Sequence, residues 1–230
     1  MSVITEIEGD LFEVAPEGAA LIHACNCQGS WGKGIAEAFR EKYPAAYQIF
    51  RVHCQQYLSH PQTRTKADPS TQHLRTLKLP EGTALIIPPQ EADYNPQAQA
   101  QIPLAPFRGR GRGRGRGGVN SSSGRASRPA GKKHWIICLF TSWHYGPRNR
   151  SAPAVILENT RLAVADLKRQ IEEMGAAGNG GEGEDAGEQK MGELWGCRFN
   201  SGLFGVPWEK TKEVLEEAGV GMVIVRPVGE

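Results

Sequence analysis

Apolar and polar positions follow two rhythms along the chain. Short apolar runs at Val3–Ile7, Ala19–Ala24, Thr83–Pro88, His134–Thr141, Leu194–Asn200 and Met222–Val225 predict strands. Ala19–Ala24 and His134–Thr141 (HWIICLFT) are almost unbroken, the pattern of strands buried on both faces. Helical spacing fills the intervals. It covers Ile35–Lys42 and Ala45–Leu58, separated at Pro44, then Ser151–Met174 and Pro207–Ala218. In the longest of these, Ser151 is placed to cap and Pro153 sits in the first turn. Val155, Leu162, Ala165 and Ile171 fall near one face, and Gly175 marks the stop. Gly219 closes the last helix. Alternating strands and helices predict an α/β protein with a mainly parallel sheet covered on both faces.

Composition divides the chain into body and insertions. Gly (28) and Pro (15) are clustered rather than spread. Residues 108–118 read RGRGRGRGRGG, which has no apolar side chain to bury. With its Pro-, Gln- and Ser-rich flanks, 89–133 is expected to be a disordered insertion, and 175–192 a flexible Gly/Glu-rich one. Residues 59–76 are polar without a clear period. The remainder, about 167 residues, suffices for one domain, expected to be a monomer.

The net charge of +2 conceals a split. Residues 101–133 hold nine of the 27 bases and no acid, so the rest has 18 bases against 25 acids. The body is therefore acidic, and the overall charge says nothing for a nucleic-acid-binding fold. No run approaches the ~18–20 apolar residues of a membrane span. The opening MSVITEIEGD lacks the basic and apolar regions of a secretory signal. The five cysteines (25, 27, 54, 138, 197) read as reduced thiols, and the cytosol or nucleus is the expected location.

Two glycine-bearing loops each leave a predicted strand and enter a predicted helix: Asn26–Gly34 (NCQGSWGKG) and Asn200–Val206 (NSGLFGV). Ligands of open α/β sheets bind at such strand ends. Glycine lets a backbone approach phosphate, and the helix start supplies free N–H groups. Common signatures fail, however. A Walker loop ending at Gly32-Lys33 would need Gly at 27 and Ser or Thr at 34, where Cys27 and Gly34 stand. A dinucleotide fingerprint from Gly32 would need a small residue at Glu37. Composition alone leaves tight strand–helix turns as an equal reading.

The wording LIHACNCQGSWGKGIA (21–36) and FNSGLFGVPWEKTKEVLEE (199–217) is more specific. With Gly9-Asp10-Leu11, CLFTS (138–142) and LENTRLAVADL (157–167), it resembles the macrodomain family, and within it the fungal ADP-ribose 1''-phosphate phosphatases. The likeness spans the body and leaves out both insertions. It implies a three-layer α/β/α fold with a mixed, mainly parallel sheet, and an ADP-ribose derivative as the small-molecule substrate. It implies hydrolysis of a phosphate monoester, without metal or cofactor.

The same resemblance assigns residues. Asp10 would read the adenine amine beside Gly9 and the Leu11 N–H, although a cap aspartate is the plainer reading. Asn26 would orient the distal ribose or a water, next to Ala24 and Cys25. The backbones of Trp31, Gly32, Lys33, Gly34, Ile35 and Ala36 would wrap the diphosphate. Those of Asn200, Ser201, Gly202, Leu203, Phe204, Gly205 and Val206 would close the other side, with Phe204 on the distal ribose.

His23 is the expected general acid or base, since an ordinary pKa of ~6.5 suits both roles. The alternative is a buried histidine that braces the loop. Cys25 and Cys27 lack the arginine of a phosphocysteine loop and read as packing residues, and with His53 and Cys54 they form no standard zinc pattern. His144 follows a strand and could near the ligand's distal end, but reads as exposed. The position matching the aspartate of some ester-cleaving relatives is Phe204, which speaks against a covalent lysine mechanism. Three other readings stay open: a module that only binds ADP-ribose, a hydrolase of protein-linked mono-ADP-ribose, and weak RNA contact through residues 108–118.

Overall fold

A computed structural model describes residues 4–67, 74–95, 132–178 and 190–229. The Arg-Gly tract and most of the acidic stretch lie outside them. In chain order the elements are β1 (Ile4–Glu8), α1 (Leu11–Val14), β2 (Ala20–Asn26), α2 (Ile35–Lys42) and α3 (Pro44–Ser59). Then come β3 (Thr63–Ala67), β4 (Leu74–Lys78), β5 (Ala84–Ile87), α4 (Glu91–Tyr94) and β6 (Trp135–Ser142). The chain ends with α5 (Pro153–Gly178), β7 (Leu194–Cys197), α6 (Trp208–Glu217) and β8 (Met222–Arg226).

Six strands form one sheet in the order β1, β8, β7, β2, β6, β5. Every neighbouring pair is parallel except β5 with β6. The two central strands, β2 and β6, carry the unbroken apolar runs because both of their faces are covered. Leu21, Cys25, Cys138 and Phe140 face α2 and α3, packing with Phe39 and Phe50. Ala20, Ile22, Ile137 and Leu139 face α5 and α6, packing with Val164, Leu167 and Leu215. The result is the expected three-layer α/β/α arrangement.

Gly196 on β7 lies opposite Ile22 of β2. A Cβ there would come within 2.8 Å of Ile22 Cγ2 and 3.1 Å of its carbonyl oxygen. Gly196→Val is therefore expected to cost about 1–3 kcal/mol by overpacking. An unchanged urea midpoint would contradict this close approach.

The structure departs from expectation in places, each for a local reason. Strand β7 stops at Cys197, short of Asn200, whose φ of 66° leaves the extended region. The Ser151 hydroxyl does not cap α5; it accepts from Trp143 N (3.1 Å), while Ser151 N donates to Ser142 Oγ (3.0 Å). The buried residues of α5 are Ile156, Asn159, Thr160, Leu162, Ala163, Val164 and Leu167, with Ile171 packed against the same core; of the expected face Leu162 and Ile171 are placed there, whereas Ala165 is exposed. Two polar residues lie on that face with satisfied hydrogen bonds, which apolar spacing could not report. Asn159 donates to Thr141 O and Glu81, and Thr160 to Ile156 O. Helix α5 also runs past Gly175, into the expected second insertion.

The polar stretch 59–76 contributes the antiparallel pair β3–β4, of which Leu77 is buried. The flanks of the expected first insertion belong to the fold. Asp93 accepts from Ala45 N (2.7 Å) and Ala46 N (3.0 Å), satisfying the start of α3, which has no side-chain cap of its own. Lys132 donates to the carbonyls of Glu13 and Ala15.

Candidate active site

The parallel strands deliver four loops to one end of the sheet. Asp10 follows β1, the loop 27–34 follows β2, the loop 143–152 follows β6, and the loop 198–207 follows β7. Strands β7 and β2 are neighbours, so the two glycine loops stand side by side.

The first loop is held by its own asparagine. Asn26 Oδ1 accepts from Gln28 N (3.0 Å) and Ser30 N (3.3 Å), and Nδ2 donates to Ser30 O (2.6 Å). Asn26, expected to orient ribose or water, is thus engaged with its own loop. Its acceptor is spent on the loop, and at most one N–H is left to offer. Trp31 pins the next segment: it is buried, stacked on Phe50 at 4.9 Å. Only its backbone can face a ligand. Gly32, Lys33, Gly34 and Ile35 then emerge exposed. Gly34 takes φ 60°, ψ −143° at the N-cap of α2. Among the described residues, no acceptor stands opposite the N–H groups of Gly32 to Ala36. This is a pocket of donors at a helix start, suited to phosphate oxygens.

His23 is not in that pocket. Alternation along β2 sends it with Leu21 and Cys25 toward α2 and α3, where it is fully buried. Its ring stacks on Phe39 (4.1 Å between centroids, 10° between planes) and meets Trp31 edge-on (4.9 Å). Both ring nitrogens lie against Cys25 Sγ in the interior, away from solvent. The bracing alternative matches, since His23 supports the two rings that position the loop and α2.

Cys25 lies on the same buried face, so it too can offer only backbone. Its Sγ is 3.5 Å from His23 Nε2 and 3.7 Å from Nδ1. Burial raises the Cys25 thiol, but Cys138, the His23 ring and the Trp31 indole outweigh it and pull it down, while burial drives Cys138 well up. Burial raises Cys27, and Cys54 to about 12, so both stay protonated packing residues. His23, Cys25 and Cys138 form the one three-donor group among the described residues, with ligand atoms within 4.8 Å. The sulfur is nearly equidistant from both ring nitrogens, so it confronts neither lone pair. The burial of all three donors leaves no position open to a substrate, unlike a catalytic metal site.

The second loop turns on Asn200, also expected to touch substrate. Its side chain is buried: Oδ1 accepts from Thr141 Oγ1 (3.0 Å) and Nδ2 donates to Thr160 Oγ1 (3.0 Å). It shapes the loop from below. Phe204 is 8% exposed and packs with Ile156 and Val206, against Ala24, so its ring is not free to cover a ribose. Leu203 is exposed instead at the loop tip. Ser201 donates to Arg198 O, and Gly205 N to Gly202 O (3.0 Å). Among the described residues, the N–H groups of Gly202 to Phe204 have no acceptor opposite them.

Asp10 acts as the cap of the plainer reading. One carboxylate oxygen caps Phe12 N (2.8 Å), and the residue remains exposed. Strand β1 is three places from β2, about 14 Å at the usual ~4.8 Å spacing. Beside it, Glu6 receives Lys212 (2.9 Å), Arg198 (2.9 Å) and Trp208 Nε1 (3.2 Å), tying β1 to the second loop and α6. Burial alone would raise Glu6, but these hydrogen bonds outweigh it and hold the carboxyl at about 2, against 4.5 normally. The folded pKa lies below the unfolded one. The stabilisation is therefore complete above 4.5 and fades as pH falls toward 2. Glu6→Gln is expected to lower the melting temperature at neutral pH, with the gap from wild type closing in acid. A gap independent of pH would contradict it.

No protein-family model matches the chain. Among solved structures, the macrodomain of Mycobacterium tuberculosis DarG aligns with a TM-score of 0.53 at 20% identity, covering 97% of each chain. Thermosipho africanus DarTG in complex with ADP-ribose aligns at 0.52 and 14% identity, covering 99% of this chain and 42% of that one. The strand order, the helix layers and these likenesses define a macrodomain. Sequence relatives go further. An ADP-ribose 1''-phosphate phosphatase of Ajellomyces capsulatus is 63% identical over 251 residues, covering 100% of this chain and 98% of the relative. That of Neosartorya fischeri is 51% identical over 235 residues, covering 99% and 96%. The chain belongs to the family of ADP-ribose 1''-phosphate phosphatases.

Proposed function

We propose that this protein hydrolyses ADP-ribose 1''-phosphate to ADP-ribose and inorganic phosphate. The observation that carries the reading is the pair of loops that leave neighbouring parallel strands at the same end of the sheet, with N–H groups at Gly32–Ala36 and Gly202–Phe204 that have no acceptor among the described residues. Preorganised backbone donors stabilise phosphate charge without reorganising during the reaction. Asp10, about 14 Å away along the strand ends, is placed to accept from the adenine amine. Family membership supplies the substrate. Water adds to phosphorus, the bond from phosphorus to the anomeric oxygen breaks, and that oxygen leaves with a proton.

The test compares phosphate release from ADP-ribose 1''-phosphate with ADP-ribose release from a protein carboxyl ester. Faster release of phosphate is expected. Turnover of the ester alone would replace this reading with de-ADP-ribosylation of proteins.

The Arg-Gly tract adds a weak RNA contact through phosphate charge and arginine stacking. Removing residues 101–131 is expected to abolish a salt-sensitive RNA shift and leave phosphate release unchanged. Loss of both activities would place the tract in the catalytic body.

A further inference from the structure

Arg150 is a cation that neither the sequence motifs nor the phosphate-binding loops account for. It closes the 143–152 loop, whose neck is clamped by Ser151 N donating to Ser142 Oγ (3.0 Å), Trp143 N donating to Ser151 Oγ (3.1 Å) and Ser142 Oγ donating to His144 O (2.8 Å). From this fixed root its guanidinium reaches the second glycine loop, and Nη1 donates to Leu203 O at 2.7 Å. The head lies against the bare backbone of Gly205, where a Cβ would come within 2.6 Å of Nη1. The other end of the 143–152 loop touches the first glycine loop, since Gln28 Nε2 donates to Trp143 O (2.9 Å). Arg150 therefore stands where the loops after β2, β6 and β7 meet.

Among the described residues it has no carboxylate partner. One neutral carbonyl uses one of its five donors, and the planar fork that remains matches a phosphate bidentately. Lys33 and Arg148 are also exposed, but among the described residues neither has a hydrogen-bond or ion-pair partner that would hold it in place.

Position along the sheet indicates which phosphate. The strand ends run from Asp10 on β1, past the glycine loops of β7 and β2, to β6, where Arg150 is rooted. A ligand with adenine at Asp10 and its diphosphate on the glycine loops runs toward β6, and Arg150, rooted after β6 with its guanidinium over Leu203 and Gly205 of the β7 loop, borders its distal end. We propose that Arg150 binds the 1''-phosphate and is the residue that distinguishes ADP-ribose 1''-phosphate from ADP-ribose. The proposal rests on the ligand orientation given above but not on turnover.

The test measures both ligands on the full-length wild type, Arg150→Met and Arg150→Lys, by calorimetry and by phosphate release. Methionine keeps an apolar stem against Gly205 and removes the charge, and lysine keeps a charge without the fork. Arg150→Met is expected to weaken ADP-ribose 1''-phosphate about 10–100-fold while ADP-ribose affinity stays within about threefold, as loss of a charge-assisted pair requires. Arg150→Lys recovers part of that loss. If the wild type turns over, KM for the phosphate ester carries the same selective rise. If it does not, the two dissociation constants are read directly, so failure of the phosphatase reading is separable from failure of this one. Equal weakening of both ligands would make Arg150 a brace of the Leu203 loop and overturn the proposal. No change in either would also overturn it.

Discussion

Gly34→Val is expected to lower kcat/KM for phosphate release by at least about 100-fold, with a stability loss limited to about 1–3 kcal/mol of backbone strain. Gly34 holds φ 60°, ψ −143°, a backbone region closed to a β-branched residue. An added Cβ meets nothing within 4 Å, so the effect is conformational and not steric crowding. To relieve the strain, the chain at 32–34 must rotate, and the N–H groups of Gly34, Ile35 and Ala36 then lose their shared direction. Removing one such donor from an oxyanion site typically costs about 10²–10³ in rate. Activity within threefold of wild type would show that this loop does not hold the reacting phosphate.

The second large effect concerns His23. His23→Ala is expected to cost about 3–5 kcal/mol, by analogy with other aromatic truncations in cores, because it opens a cavity between Phe39 and Trp31. At ~2–4 °C per kcal/mol for a domain of this size, the melting temperature falls by about 6–20 °C. Activity falls with it, as Trp31 loses the ring that positions it. His23→Phe separates packing from chemistry. It restores the stack on Phe39 and is expected to recover most of the stability and at least a tenth of the activity. A folded His23→Phe that binds ADP-ribose normally yet has lost a thousandfold in kcat would return the imidazole to the chemistry.

These two residues show how far the sequence could be read. Gly34 was legible because a glycine before a helix reports a backbone need, and backbone needs are local. His23 stood in the sequence as either a proton-transfer group or a buried brace, and its position three residues before Asn26 could not choose between them. Side-chain direction on β2 is set by alternation, and which face meets α2 and α3 is a tertiary fact. Asn26 and Asn200 were correctly placed in their loops, but as builders of loop shape, with hydrogen bonds to Ser30, Thr141 and Thr160. Phe204 was displaced similarly, by packing on Ile156, which is remote in sequence. The strands β2 and β6 were plain from their unbroken apolar runs. The pair β3–β4 was hidden because an exposed two-stranded sheet has little apolar pattern to show. Arg150 carried no signal at all: its meaning comes from Leu203 and Gly205, more than fifty residues away.

The central claim is that two backbone loops make this chain a phosphatase rather than a binding module. The most direct measurement is the stoichiometry of phosphate and ADP-ribose formed from ADP-ribose 1''-phosphate by the purified full-length protein, with EDTA present. Equimolar formation of both over many turnovers is the predicted result. Tight binding of ADP-ribose 1''-phosphate with no phosphate released would contradict it and leave a protein that recognises ADP-ribose without cleaving its ester.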